Sequence, residues 1–148
     1  MKRFSLFLFV MSFCLPSTPA VAQDFTAGSV WRVLQYDILP GKDADFWRDF
    51  RMNLKPTYEG YKAAGLIRSY QVYTSQTANA PDAWNVMVRL EYANWAALDG
   101  LAEKQDPITL KVYGSAQART AAAAKRTEFR RTVANILVRQ VTPLDLAR

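Results

Sequence analysis

The chain has 148 residues, 50% of them hydrophobic, with a formal net charge of +6, one cysteine and no histidine. Without histidine, histidine-ligated zinc and haem, imidazole-based catalytic triads and histidine acid–base chemistry are excluded. Any catalysis must use other side chains or a bound cofactor, and no metal or other cofactor is predicted. The basic excess lies at the C-terminal end, since the net charge is −2 over residues 23–110 and +6 over residues 111–148.

The first residues have the three parts of a secretory signal peptide. Lys2-Arg3 precede an apolar run, Phe4 to Leu15, and a small-residue cleavage site, Ala20-Val21-Ala22. Cleavage is expected before Gln23. The apolar run is shorter than the ~20 residues that a membrane-spanning helix needs, and no later segment predicts one. The protein is therefore expected to be exported to the periplasm or secreted.

Residues 1–22 form the predicted signal peptide and residues 23–148 a single predicted domain. Loss of the signal removes Cys14, the only cysteine, so the mature chain has no disulfide and depends on its hydrophobic core. Lipidation of Cys14 is the less favoured alternative, because bulky Phe13 precedes it.

In chain order, the first strand is predicted from Val30 to about Leu39, followed by a turn at Pro40-Gly41. A helix with aromatic residues at helical spacing begins near Asp43, and Pro56 predicts a kink or break in it near residues 53–56. Gly65 is typical of a left-handed helix end.

A second strand is predicted over Leu66–Ser75 and a third over Ala83–Tyr92. The even positions of the third strand are apolar or aromatic, which indicates that one face is buried. Asn94 caps a helix predicted to end near Lys104. After Asp106-Pro107 an alanine-rich, basic helical segment leads to a last strand over Thr132–Val141.

The resulting order, strand-helix-strand-strand-helix-strand, predicts a ferredoxin-like split βαβ fold of the α+β class. Its four-stranded antiparallel sheet would carry both helices on one face, with an extra helical segment over Gln105–Arg131. The first and third strands are central neighbours in this fold. Alternation then places one set of side chains together on the helix-free face, namely Trp31, Gln35, Asp37, Asn85, Arg89 and Glu91.

The sequence resembles the dimeric α/β-barrel superfamily, in particular antibiotic-biosynthesis-monooxygenase-like and NIPSNAP-like domains. The resemblance rests on LPGKDADFW, YKAAGLIRSYQVY and WNVMVRLEYANWAALDG. It implies a homodimer in which the helix-free faces pack into a barrel beside a small-molecule cavity. Trp31, Val33, Met87 and Leu137 are expected to be the apolar residues left uncovered on that face of one copy. The lack of histidine argues against the haem-degrading members.

Two interpretations of the polar face remain open. In the first, Arg89 forms a structural ion pair with Asp37 or Glu91 at a dimer interface. In the second, Asp37, Arg89 and Glu91 are catalytic, with Arg89 stabilising an enolate or carboxylate and an acid taking a proton, while Trp31, Gln35 and Asn85 bind the ligand. The structural interpretation is favoured.

Three other features have structural explanations. Most of the tryptophans and tyrosines are interpreted as core. Asp43, Asp45 and Asp49 are interpreted as helix-start residues rather than metal ligands. Arg119, Arg126 and Arg130 are predicted to lie on one solvated helix face, with an anionic envelope partner as the alternative, and nucleic acid is not expected as a partner.

The predicted function is that of an exported, homodimeric protein that binds a small planar or carbonyl-bearing molecule. As an enzyme it would be a metal-free oxygenase or isomerase, as the resemblance implies. The alternative is a non-catalytic envelope protein of the same fold, a dimeric interaction module whose basic helix meets an anionic partner. The sequence does not decide whether the protein is an enzyme.

Overall fold

The computed structural model describes residues 24–76 and 83–145. The predicted signal peptide and the turn at Asn79-Ala80-Pro81 lie outside these residues. The described strands are β1 Phe25–Ile38, β2 Ser69–Thr74, β3 Val86–Tyr92 and β4 Arg130–Pro143. The described α-helices are α1 Asp43–Asp49, α2 Lys55–Ala63, α3 Leu101–Tyr113 and α4 Ala116–Lys125. No helix in these ranges is long and apolar enough to cross a membrane.

The four strands form one antiparallel sheet in the order β2-β3-β1-β4. This is the ferredoxin-like order, so the predicted fold class and the pairing of the first and third strands are confirmed. Trp31 lies opposite Glu91, Val33 opposite Arg89 and Gln35 opposite Met87. These six residues define the helix-free face of the two central strands.

The core lies between the other face of the sheet and the helices. It contains the even-numbered residues of β3, which are all at most 3% exposed, and the aromatic stripe of α1 and α2. Phe46, Phe50 and Tyr58 follow one another with ring centroids 6.2 and 6.4 Å apart. The interpretation of these aromatic residues as core is therefore confirmed for the first helix.

The first helix is interrupted where Pro56 predicts a break. Residues Phe50–Leu54 form a π-helical turn between α1 and α2, and Pro56 occupies the first turn of α2. A proline at that position does not need to donate a hydrogen bond. Gly65 then ends the segment with φ at +70°, the left-handed conformation expected there.

The second helical region differs from its prediction. Asn94 caps only a short 3-10 turn, Trp95–Leu98, and α3 continues through Pro107, where a new helix was expected to begin. Two contacts with α2 hold the segment after Pro107 in the helix. Ile108 lies against Gly60, and the hydroxyls of Thr109 and Tyr61 are 2.8 Å apart. This tertiary packing outweighs the local cost of the proline.

Two irregularities in the pairing of β1 with β4 determine which side chains of β4 reach each face. One lies between Ala27 and Val30, and the other between Gln35 and Tyr36, where β4 has an extra residue. The second bulge reverses the alternation along β4, so Leu137 lies opposite Arg32. The expectation that Leu137 lies on the helix-free face is wrong.

The apolar residues of β4 on the helix-free face are instead Ile136, opposite Val33, and Val138, opposite Trp31. Ile136 is 50% exposed and Val138 is 38% exposed. Trp31 and Val33, expected to be uncovered, are only 8% and 9% exposed, and the guanidinium of Arg89 lies over the Trp31 ring. The exposed aliphatic residues of this face, Ile136 and Val138, therefore belong to β4.

Candidate functional site

The candidate site is centred on Arg89 and Trp31, which are brought together by the pairing of β1 with β3. The Cζ atom of Arg89 lies 4.3 Å from the centroid of the Trp31 ring and 5.9 Å from that of Tyr73. At such distances a guanidinium is attracted to the negative face of an aromatic ring. The arginine thus lies as a flat cation on an aromatic surface.

Asp37 is not part of this arrangement. Its Oδ2 atom is 3.4 Å from Nη2 of Arg131, on β4. Arg89 lies opposite Val33, and the four steps along the strand from Val33 to Asp37 span about 13 Å. The expected proximity of Arg89 and Asp37 is therefore wrong: they share a face, but they lie too far apart along it.

Glu91 is held in place by two serine hydroxyls. Ser29 Oγ donates a hydrogen bond of 2.7 Å to one carboxylate oxygen, and Ser69 Oγ donates one of 2.7 Å to the other. The bond from Ser69 and that from Ser29 lower the pKa of Glu91 against the opposing effect of burial, and the charges of Arg68 and Arg89 also lower it. Glu91 is therefore an ionised, oriented acceptor.

The indole N–H of Trp31 is buried and has no hydrogen-bond partner among the described residues. A buried donor without an acceptor costs about 1–3 kcal/mol, so its presence needs a reason. Gln35 lies on the same face, four residues after Trp31 in the chain. Its side-chain amide donates a weak hydrogen bond to Met87 Sδ, at 3.9 Å. Of the predicted binding residues, Trp31 thus contacts Arg89, and Gln35 lies on the same face opposite Met87.

Asn85, predicted to bind a ligand, makes two hydrogen bonds to the backbone of Ile38. Its Oδ1 accepts a 2.8 Å bond from the backbone N–H of Ile38, and its Nδ2 donates a 3.2 Å bond to the carbonyl oxygen of the same residue. Both ends of the amide are therefore used to join the end of β1 to β3. The structure thus gives Asn85 a structural role, and ligand binding by this residue stays a prediction.

The structure adds Ser29, Ser69 and Tyr73 to the site. Alternation with Trp31 could have indicated Ser29 from the sequence alone. Ser69 and Tyr73 are on β2, and their positions depend on the pairing that sets Ser69 opposite Glu91. Together the residues provide one cation, one fixed carboxylate and an aromatic surface.

Two of the aspartates near the start of the first helix, Asp45 and Asp49, have cationic partners. Asp45 forms exposed ion pairs with Lys42 and Arg48, at 3.7 and 3.3 Å. Asp49 receives two hydrogen bonds from Arg126, at 2.7 and 3.1 Å. Within residues 24–76 and 83–145, no group of three acidic or cysteine side chains could hold a metal ion.

The predicted basic stripe does not form one solvated helix face. Arg126 lies in the 3-10 turn after α4 and also donates to the hydroxyl of Tyr113. Arg119 pairs with Asp106 on α3. Arg130 belongs to β4 and lies over Tyr36, 4.0 Å from the ring centroid. These three arginines hold parts of the chain together, so they do not support the basic-helix interaction module.

No protein-family model and no curated protein matches the chain. Three solved structures are similar to it. HapK from Hahella chejuensis has 13% sequence identity and a TM-score of 0.46, and the match covers 80% of this chain and 99% of HapK. An EthD-like protein from Ralstonia eutropha JMP134 has 15% identity and a TM-score of 0.39, and the match covers 83% of this chain and 97% of that one. A dimeric protein of unknown function with a ferredoxin-like fold from Bacteroides fragilis NCTC 9343 has 14% identity and a TM-score of 0.35, and the match covers 81% of this chain and 99% of that one. Similarity at these identities concerns the fold alone, which the sheet order of this chain establishes independently.

Proposed function

We propose that two copies of this chain pack their helix-free faces together and bind a small, flat organic molecule carrying a carbonyl or carboxylate group. The protein would act after export, as the leader sequence predicts. Binding at this face is the function that the geometry supports best. The single observation that carries it is the Arg89 guanidinium lying on Trp31, whose buried indole N–H has no hydrogen-bond partner within residues 24–76 and 83–145.

The distribution of apolar surface supports pairing of the two faces. Ile136 and Val138 are exposed next to Val33 and Trp31, on the side of the sheet that no helix covers. A sheet with helices on one side normally buries its other apolar face against another layer. A second copy of the chain supplies such a layer and encloses the space above Arg89.

The chemistry of the ligand follows from the groups at the site. Arg89 provides planar N–H donors that suit a carboxylate or a polarised carbonyl oxygen. The ring of Tyr73, 37% exposed, offers an aromatic surface to a flat ligand.

Catalysis by the same groups is a narrower proposal. Glu91 would remove a proton next to a carbonyl group, while Arg89 stabilises the resulting enolate. This step would begin an isomerisation, or an oxygenation in which the enolate reacts with O2, as expected of monooxygenase-like relatives. However, the lowered pKa of Glu91 makes it a weak base near neutral pH, so ligand binding has the stronger support.

Titration of the mature protein with 2-naphthoate, a flat aromatic carboxylate, tests the proposal by NMR of the tryptophan indole N–H signals. A saturable shift of the Trp31 signal is expected. Arg89→Gln should weaken binding about tenfold, since a hydrogen bond to a charged group is lost. Arg51→Gln, a change of the same type at an exposed residue in the π-helical turn, is the matched control and should have no effect.

Light scattering at micromolar concentration should give the mass of a dimer. A monomer at that concentration would contradict the packing of the two faces. If the protein is a dimer but naphthoate leaves the Trp31 signal unchanged, or if Arg51→Gln weakens binding as much as Arg89→Gln does, the site is not a binding site for flat carboxylates.

A further inference from the structure

A cavity lies at the end of the sheet where β1 begins. Its volume is about 460 Å³. Residues from β1, the turn before β2, the 3-10 turn after β3 and the second half of β4 line it. The six that matter here are Gly28, Ser29, Arg68, Trp95, Arg139 and Gln140.

The bulge in β1 shapes this cavity. Ala27 pairs with Val141 and Val30 with Arg139, so Gly28 and Ser29 together face Gln140. A Cβ atom on Gly28 would lie 3.2 Å from the Cβ and backbone oxygen of Gln140, so a side chain there would crowd this wall of the cavity. Bulges of this kind are common beside functional sites, because they redirect side chains.

Ser29, in the bulge, is a buried polar residue at 8% exposure. Its hydroxyl donates its only proton to Glu91 and accepts a 3.3 Å hydrogen bond from Nη1 of Arg68. Because a guanidinium has five N–H donors, this bond orients Arg68 at the cavity wall and uses only one of them. Arg68 is thus a positioned cation with further donors for a ligand.

The other polar side chains leave this cavity with an excess of positive charge. Arg139, on β4, contributes a second guanidinium, whose Cζ lies 5.9 Å from the ring centroid of Phe25. The nearby carboxylate of Glu91 already accepts from Ser29 and Ser69. The side-chain oxygen of Asn94 accepts from the backbone N–H of Ala97. The two arginines therefore face a cavity in which the carboxylate of Glu91 and the side-chain oxygen of Asn94 already have donors.

Trp95 gives the cavity an aromatic wall. It is the first residue of the 3-10 turn that Asn94 caps, and 45% of it is exposed. An exposed tryptophan next to two arginines is the combination expected for a ligand with an apolar part and an anionic group.

We propose that this cavity binds an organic oxyanion, whose carboxylate or phosphate group contacts Arg68 and Arg139 and whose apolar part lies against Trp95. All of these residues come from one chain. The cavity shares Ser29 with the Arg89 and Trp31 site but has its own cations, and binding here requires neither dimerisation nor 2-naphthoate binding there.

Titrations with inorganic phosphate and with phenyl phosphate at constant ionic strength test this proposal, with amide and indole NMR signals as the readout. Both probes should shift the signals of Gly28, Ser29 and Trp95 in a saturable way, and phenyl phosphate should bind more tightly. Arg68→Gln and Arg139→Gln should each weaken binding about fivefold, as expected for partly exposed charges, and the double variant should abolish saturation. Arg51→Gln is again the matched control.

Trp95→Ala should remove the higher affinity for phenyl phosphate and change the affinity for inorganic phosphate by no more than about twofold. The reason is that the Trp95 ring contacts only the apolar part of the ligand. Thermal unfolding followed by circular dichroism verifies that each variant is folded. Shifts that never saturate, or that Arg51→Gln reduces as much as Arg68→Gln does, would show general screening by salt and overturn the proposal. Equal affinities for the two probes would overturn the role of Trp95.

Discussion

Arg126 and Asp49 form a two-point ion pair that joins the turn after α4 to the end of α1. The Nε atom of Arg126 is 2.7 Å from Oδ2 of Asp49, and Nη2 is 3.1 Å from Oδ1. Their side chains are only 12% and 11% exposed. Burial lowers the pKa of Arg126, but the hydrogen bonds to Asp49 and Tyr113 outweigh it and raise the pKa.

Removing one partner should therefore destabilise the protein. Asp49→Asn leaves a largely buried cation without its counter-charge, and we expect a loss of about 3 kcal/mol in the free energy of unfolding. Urea denaturation at pH 7 measures it. Asp45→Asn is the control, because that carboxylate is 42% exposed in its ion pairs and should change stability by less than about 1 kcal/mol. Similar losses in both variants would contradict the structural role of Arg126.

The close approach of α2 and α3 at Gly60 predicts a second effect. A Cβ atom there would lie 2.5 Å from Cγ2 of Ile108. Although alanine is the better helix former, Gly60→Ala should lower the free energy of unfolding by about 1–3 kcal/mol through overpacking. Combining it with Ile108→Ala makes room, so the double variant should be more stable than the sum of the single changes predicts. Strict additivity in chemical denaturation would mean that the two residues do not touch.

The pH dependence of stability should reveal the state of Glu91. Its pKa in the folded protein is lowered from the ordinary value of 4.5, chiefly by the hydrogen bond from Ser69, against which burial acts. A lowered folded pKa stabilises the protein above the unfolded pKa, and this contribution disappears as the pH falls through the folded value.

The wild type should therefore exceed Glu91→Gln in stability at pH 7, and the difference should shrink as the pH falls below 4.5. Urea denaturation at several pH values between 7 and 3 gives the comparison. Glu103→Gln, in the first turn of α3, is the control, because it changes the net charge of the protein by the same amount but lies away from the two serines. A difference for Glu91→Gln that stays constant across this range would show that its charge is not the stabilising feature.

Two neighbouring residues of β4 can identify the face used for dimerisation. Val138 lies opposite Trp31 on the helix-free face and Leu137 lies opposite Arg32 on the other, with exposures of 38% and 40%. Val138→Glu would place a charge in the proposed interface. Because desolvation of an unpaired charge is costly, we expect the dissociation constant of the dimer to rise at least about tenfold. Leu137→Glu should leave the dimer intact. Sedimentation or light scattering over a concentration series measures the dissociation of both variants. If Leu137→Glu dissociates the dimer and Val138→Glu does not, the interface lies on the other side of β4.

The order of the strands and helices follows directly from the sequence, because it depends on patterns within short segments. The alternation in Val86–Tyr92 identifies the buried face of β3, and Pro56 identifies the break in the first helix. These local signals predict the split βαβ order, and they place Trp31, Arg89 and Glu91 on one face of the sheet.

Only the tertiary structure decides which of those side chains touch. The bulge in β4 turns Leu137 away from the helix-free face and brings Arg131 to Asp37, while the pairing of β2 with β3 brings Ser69 to Glu91. Arg126 reaches Asp49 from 77 residues away in the chain. Register, bulges and long-range ion pairs are set by packing between distant segments, where a shift of one residue reverses the face of every side chain.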